Sequence, residues 1–116
     1  MRLEREVTSN GEPQFTLHLE AVEVSPDWVL GDPMRGAEIV SWIEHRATVA
    51  VSALQLGIAD EALRRTATYA TERKQFGQPI GSFQAVAMRA ADAYIDVEAI
   101  RSTLYQAVWA LSLIHI

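Results

Sequence analysis

The residues of this chain best equipped for chemistry fall in one stretch, Arg73-Lys74-Gln75-Phe76-Gly77-Gln78-Pro79-Ile80-Gly81-Ser82-Phe83-Gln84. Arg73 and Lys74 bring two cations to a turn. Gly77 and Gly81 let backbone approach a ligand closely. A helix opening at the end of the stretch would add its first free N–H groups and the positive end of its dipole. Phe76 and Phe83 offer flat apolar surface beside the charge, and Gln75 and Gln84 add amide donors and acceptors. Phosphate joined to a flat ring, as in a nucleotide, is the ligand such a cradle would suit. A plain structural account stands beside this one. Arg and Lys at a helix C-terminus complement its dipole, and Gly and Pro are ordinary in a helix–helix turn.

The rest of the composition narrows the chemistry. The chain has 116 residues and no cysteine, which removes disulfides, thiolate metal sites and thiol nucleophiles together. His18, His45 and His115 are scattered, so no metal-ligand spacing is present. A formal charge of −5 argues against a sequence-independent grip on nucleic-acid phosphate. An apolar fraction of 49% with 22% charged residues is that of a folded protein. The opening residues carry Glu4 and Glu6 where a signal peptide would have an apolar core. The longest run without Asp, Glu, Lys or Arg is Ser102–Ile116, too short to span a bilayer. These features predict a cytoplasmic protein with no membrane span.

The elements that must position the cradle differ along the chain. Residues Glu4–Thr8 read as the end of a strand, and Asn10-Gly11 as a hairpin turn. Phe15, Leu17 and Leu19 alternate onto one face, leaving His18 with Thr16 on the other as a solvated strand histidine. Val22 and Val24 keep the period of two in the opposite phase, which predicts a bulge or bend near Glu20-Ala21. Ser25-Pro26 and Gly31-Asp32-Pro33 mark stops.

From Ala37 to Glu72 there is no proline, and the period becomes helical. The middle, Ala47 to Ala59, is apolar almost all round and predicts burial on most faces. Its small residues (Ala47, Ala50, Ser52, Ala53, Gly57) would admit another helix at close range. A second helix is expected from Ser82 as N-cap, with an apolar stripe at Phe83, Ala87, Ala90, Tyr94, Val97, Leu104, Val108 and Leu111. Arg101 interrupts that stripe, and Glu98 one turn earlier is its nearest candidate partner.

A helix of roughly 36 residues is about 54 Å long, whereas a compact domain of this size has a radius of gyration of only about 13 Å. More protein, from the same chain or from an oligomer, should therefore cover these helices. The closing run Leu111–Ile116 has no cap, glycine or proline. The chain reads as a fragment whose last few residues need not be native. Its expected organisation is 1–33 in one domain and 34–116 in another.

The segment Tyr69-Ala70-Thr71-Glu72-Arg73-Lys74-Gln75-Phe76-Gly77-Gln78-Pro79-Ile80-Gly81-Ser82-Phe83-Gln84-Ala85 closely resembles the signature of the acyl-CoA dehydrogenase family. Val29-Leu30-Gly31-Asp32 resembles the exit from that family's middle β domain. Leu56-Gly57-Ile58-Ala59 with Glu61-Ala62-Leu63, and Asp92 through Glu98 to Arg101, resemble its first two long C-terminal helices. The resemblance implies a mainly α chain with a short N-terminal antiparallel β segment and a long antiparallel helical hairpin, part of a larger α-β-α flavoenzyme. Residues 1–33 would end the middle β domain and 34–116 would begin the helical one.

In that family FAD dehydrogenates an acyl-CoA thioester between the α and β carbons. A carboxylate takes the α proton while the β hydride goes to the flavin. The family is usually tetrameric, and this inter-helix segment reaches FAD held mainly by a neighbouring subunit. Carried over, Arg73 would meet the FAD pyrophosphate, Gln75 and Phe76 would line the same cofactor, and Phe83 and Gln84 would lie near its adenosine side. Implied partners are the acyl-CoA substrate, neighbouring subunits of a homo- or hetero-tetramer, and an electron-transfer flavoprotein.

The catalytic base is not identified by the resemblance. Most members carry it on a later loop. A minority carries it on the first long helix, at a position that aligns with Ala47. Glu44, nearly one turn away and flanked by His45 and Arg46, reads as a solvated or ion-paired residue. Thr48 stands where some members have an arginine. Two other readings remain open at this point: a stand-alone helical-hairpin oligomerisation module without activity, and a flavin-dependent acyl-CoA oxidase.

Overall fold

The computed structural model describes residues 1–113. It divides into two compact units, Met1–Gly36 and Ala37–Ile116, each with its own internal contacts.

The first unit is a two-stranded antiparallel ribbon followed by two capped turns. Strand β1 (Arg2–Glu6) pairs with β2 (Gln14–His18) in the register Arg2↔His18, Glu4↔Thr16 and Glu6↔Gln14. The first strand ends two residues before the expected Thr8, because Thr8 already belongs to the connection. Its carbonyl accepts the Gly11 N–H at 3.1 Å, and its hydroxyl donates to the Glu12 carbonyl at 2.8 Å. Gly11 takes φ +73°, the left-handed conformation that the Asn-Gly pair foretold. His18 is half-buried and partnered: its Nε2 lies 3.0 Å from Glu4 Oε2, and the same oxygen meets Arg2 at 3.1 Å. Thr16 donates to Glu6 at 2.8 Å, so one face of the ribbon is a polar cross-strand row. The other face carries Leu3, Phe15 and Leu17, all exposed. The predicted bend falls at Ala21, with φ +46°. Ser25 and Asp32 then cap short 3-10 turns at Pro26–Trp28 and Pro33–Arg35, each side chain accepting a backbone N–H two residues on.

The second unit is an antiparallel helical hairpin. Helix α1 runs Gly36–Glu72 and helix α2 runs Gln84–Leu113. They meet through Leu56 on α1 and Val97 and Leu104 on α2, only 6%, 6% and 7% exposed, with Val49, Ala59 and Leu63 packed around them. Arg101 sits at the edge of this seam. Its Nε is 3.1 Å from Glu98, as the sequence predicts, and its Nη2 reaches Asp60 of α1 at 3.2 Å. The second partner lies across the seam, at a distance in sequence that no helical period reports.

Several expectations need correction. The all-round apolar stretch Ala47–Ala59 is not buried on most faces: Leu56 alone is buried there, while Val51, Leu54 and Ile58 are more than half exposed. One neighbouring helix can cover only one stripe of α1. On α2 the expected stripe holds at Phe83, Ala90, Val97, Leu104 and Leu111, which are buried or half-buried, but Ala87, Tyr94 and Val108 are exposed, and Val86, Ala93 and Ala107 are half-buried in their place. Alanines let the two helices approach, whereas a stripe drawn through the larger side chains drifts off the seam. Ser82 is not the N-cap of α2. It ends a 3-10 turn at Ile80–Ser82 and its hydroxyl donates to the Pro79 carbonyl at 2.6 Å.

The chain is thus mainly helical with a short antiparallel strand pair ahead of a long helical hairpin. Among the described residues no helix is long and apolar enough to cross a membrane. The expectation about the chain's last residues, as far as it concerns 114–116, lies outside the described residues.

Candidate functional site

The stretch between the helices is folded, not a loose turn. Helix α1 closes with the Arg73 N–H donating to the Tyr69 carbonyl at 2.8 Å. The chain then forms a miniature ribbon, β3 (Lys74–Gln75) against β4 (Gln78–Pro79), with Lys74 opposite Pro79 and Gln75 opposite Gln78. The Ile80 N–H returns to the Arg73 carbonyl at 2.8 Å and ties the base of the ribbon. Phe76 and Gly77 form its two-residue turn with φ +52° and +80°. Positive φ at both central positions is the signature of a type I′ turn. The sequence concealed this, because such turns favour Asn, Asp or Gly at the first position and an aromatic residue there carries strain.

The two glycines each have a task within the fold itself. Gly77 supplies the positive φ of the turn and has open space around it. Gly81 packs on the end of α1: a Cβ there would lie 3.1 Å from the Ala70 carbonyl oxygen, a backbone atom that cannot yield freely. Ala70 is itself buried. This contact anchors the ribbon to the hairpin.

The arrangement leaves the expected binding residues outward. Arg73, Lys74, Gln75 and Gln84 are exposed, and Phe76 is 94% exposed at the tip of the turn. The Phe76 ring stands edge-on to Phe83, with centroids 6.3 Å apart and planes at 89°. Phe83 is half-buried and its carbonyl accepts the first N–H groups of α2, from Val86 and Ala87, each at 3.0 Å. The fold therefore brings Phe76 and Phe83 into contact and sets Arg73, Lys74 and Gln75 on the same short ribbon. Gln84 opens α2, one residue past Phe83.

Such a surface can bind but has little means to move a proton. Residues 73–84 contain no carboxylate and no imidazole. Ala47, on α1, has no proton-accepting group, and Glu44 is exposed, its backbone carbonyl accepting the Thr48 hydroxyl at 2.8 Å. Among the described residues no group of three or more His, Asp or Glu side chains is arranged to hold a metal ion.

Comparison with known proteins agrees over most of the chain. Residues 35–115 match the family described as acyl-CoA dehydrogenase, C-terminal domain. Acyl-CoA dehydrogenase FadE27 of Mycobacterium tuberculosis is 47% identical over 77 residues, 66% of this chain and 21% of that protein. The glutaryl-CoA dehydrogenase of Desulfococcus multivorans is 35% identical over 102 residues, 88% of this chain and 26% of that one. Among solved structures, a glutaryl-coenzyme A dehydrogenase in complex with glutaryl-CoA superposes with a TM-score of 0.82 at 32% identity, covering 91% of this chain and 27% of that one. A variant of the Tcur3481-Tcur3483 steroid ACAD gives a TM-score of 0.79 at 38% identity over 96% of this chain and 28% of that one. The chain spans about a fifth to a third of the length of the curated relatives it matches. A profile covering most of the chain, and relatives in both sequence and structure, lead to one conclusion: this chain belongs to the acyl-CoA dehydrogenase family.

Proposed function

We propose that this chain is the segment of an FAD-dependent acyl-CoA dehydrogenase that ends the middle β domain (1–33) and begins the helical domain (34–116). In this reading it contributes contacts to the flavin and packs against neighbouring subunits. The observation that carries the reading is the inter-helix ribbon. An exposed aromatic at a strained turn, beside exposed Arg73, Lys74 and Gln75, is a surface shaped for something outside this chain.

The residues fit the cofactor. The Arg73 guanidinium offers a forked donor of the kind that binds a pyrophosphate bidentately. Gln75 adds amide hydrogen bonding, and the Phe76 ring supplies a flat apolar face with Phe83 braced behind it. Gln84 opens α2 beside Phe83, where the adenosine side of the cofactor would lie. Bound FAD supplies a two-electron acceptor for the β hydrogen of an acyl-CoA thioester. The residues here hold that cofactor and exclude water from it; they contain no base for the α proton. The isolated chain is accordingly read as inactive.

The test uses the complete protein encoded by the same reading frame. Arg73→Ala should weaken FAD retention by roughly tenfold or more, the value of a charge-assisted hydrogen bond lost. The readout is flavin absorbance per protomer after dialysis. Unchanged flavin affinity would overturn the assignment of Arg73. A second reading, a helical-hairpin oligomerisation module, is favoured by the uncovered apolar residues of α1 such as Val51, Leu54 and Ile58. Thermal melts with and without FAD separate the two, since an upward shift counts against the module. The acyl substrate and electron acceptor rest with the family: an acyl-CoA thioester and an electron-transfer flavoprotein.

A further inference from the structure

The connection between β1 and β2 sets a reactive pair of residues inside a web of local bonds. Asn10 precedes Gly11, and both are exposed. Gly11 has no side chain to shield its backbone nitrogen, and the space a Cβ would occupy there is open. The Gly11 N–H donates to the Thr8 carbonyl at 3.1 Å, and the Thr8 hydroxyl donates to the Glu12 carbonyl at 2.8 Å. Asn10 is bound to Glu12 at both ends of its amide. Its Nδ2 donates to Glu12 Oε2 at 2.9 Å, and its Oδ1 accepts the Glu12 N–H at 3.2 Å. Every partner in this web lies between Thr8 and Glu12, so the turn holds itself without help from other elements.

An asparagine followed by glycine can lose its side-chain amide without an enzyme. The Gly11 nitrogen gives up its proton and attacks Cγ of Asn10. The N–Cγ bond forms, the Cγ–Nδ2 bond breaks, and Nδ2 leaves as ammonia. Water then opens the five-membered imide at either carbonyl, giving an aspartyl residue or an iso-aspartyl linkage. Water enters, ammonia leaves, and nothing is oxidised or reduced. Glycine permits the attack because no Cβ crowds the nitrogen. The folded turn opposes it at three points. The proton that must leave Gly11 is held by the Thr8 carbonyl. The amide that must turn onto the nitrogen is tied to Glu12 at both ends. Negative charge develops on the nitrogen and then on Oδ1, beside the Glu12 carboxylate, which disfavours it. The Glu12 N–H acts the other way, as a donor to the developing oxyanion, but at 3.2 Å it is the longest bond of the web.

We propose that Asn10 is a site of spontaneous deamidation, through an imide formed with Gly11, and that the folded turn, with Glu12 as its clasp, holds the reaction back. The product undoes the turn that restrained it. A carboxylate at position 10 offers no donor to Glu12 Oε2 and repels it, where a 2.9 Å hydrogen bond stood before. The iso-aspartyl form also adds a methylene to the backbone between β1 and β2. The pairing next to the turn, Glu6↔Gln14, then loses its support. No flavin, acyl-CoA or second subunit enters this chemistry, so its failure is distinct from failure of the cofactor assignment.

The experiment ages the 116-residue chain, its Glu12→Ala variant, and synthetic peptides of residues 4–16 with and without that change. Mass spectrometry of digests follows the loss of amide and the iso-aspartyl product. An isolated two-stranded hairpin is marginal in water, so the peptides report the unrestrained reaction. Asn10 should react about tenfold more slowly in the chain than in the peptide, the factor given by two hydrogen bonds of ordinary net strength. Glu12→Ala should speed the reaction in the chain by roughly fivefold and change it in the peptide by less than about twofold. Hydrogen exchange at the Gly11 N–H, read by NMR, should quicken in the same variant of the chain. Circular dichroism checks that the helices persist. A chain that reacts as fast as the peptide, or faster, overturns the proposal. So does a Glu12→Ala variant with an unchanged rate or unchanged Gly11 exchange, or one whose peptide is speeded as much as the chain.

Discussion

Phe76 is where a functional demand and local stability should pull in opposite directions. Its φ of +52° lies in the left-handed region, where an L-residue with a Cβ is strained by about 1–2 kcal/mol. Its ring is 94% exposed, so the apolar area lost on removing it is small and worth roughly 0.3 kcal/mol. The edge-on contact with Phe83 adds about 0.5–1 kcal/mol, at the low end for a pair open to water. Asparagine visits the left-handed region readily and keeps its backbone entropy close to that of other residues. Phe76→Asn should therefore leave the chain as stable or stabilise it by up to about 1 kcal/mol. Phe76→Val places a β-branched side chain in the same conformation and should destabilise by about 1 kcal/mol or more. Urea unfolding followed by circular dichroism gives the order directly, as Asn at or above Phe, and both above Val. In the complete protein the same Phe76→Asn change should reduce flavin retention. An asparagine variant no more stable than the valine variant would refute the strain argument. Undiminished flavin retention would refute the reason given for keeping a phenylalanine there.

The ion pairs and the seam of the hairpin set two further outcomes. The Glu61 carboxylate accepts hydrogen bonds from Arg64 at 2.6 and 2.7 Å and from Arg65 at 2.7 Å, which hold its pKa down at about 2 instead of near 4.5. A carboxyl depressed in the folded state stabilises fully above its ordinary value, and that contribution disappears as the pH falls towards about 2. The helicity of Glu61→Gln should fall less between those two pH values than that of the unaltered chain, as read at 222 nm; superposable acid titrations would contradict the pairing. In the seam, Leu56→Ala should cost about 2–4 kcal/mol, whereas exposed Leu54→Ala should stay within about 0.5 kcal/mol. Equal effects in urea unfolding would mean that α1 presents a different stripe to α2.

Much of the layout was legible because it depends on local chemistry. Asn10-Gly11 marked the hairpin, Ser25-Pro26 and Gly31-Asp32-Pro33 the stops, and the loss of proline after Pro33 the long helix, since each acts over a few residues. Ser82 misled for a related reason. Its hydroxyl is a good cap in isolation, but Gly81 had already turned the chain against Ala70, and the 3-10 turn that resulted took the hydroxyl for the Pro79 carbonyl. The ribbon that presents Phe76 was hidden because Phe-Gly is a poor type I′ pair by sequence preference. Its geometry is set by the ladder that pairs Lys74 with Pro79.

By itself the sequence determined the helices, the strand pair, the family, and the cluster of cation, amide and aromatic groups between α1 and α2. The elements and the cluster are written in residue type and short-range period, and the family in the resemblance of the inter-helix motif. Tertiary structure decided which stripe of each helix faces the other, and that Asp60 joins Glu98 in holding Arg101. The physical reason is that burial is a property of pairs of surfaces. A run such as Ala47–Ala59 states that it can be covered, and only the packing of α2 on Leu56 states where.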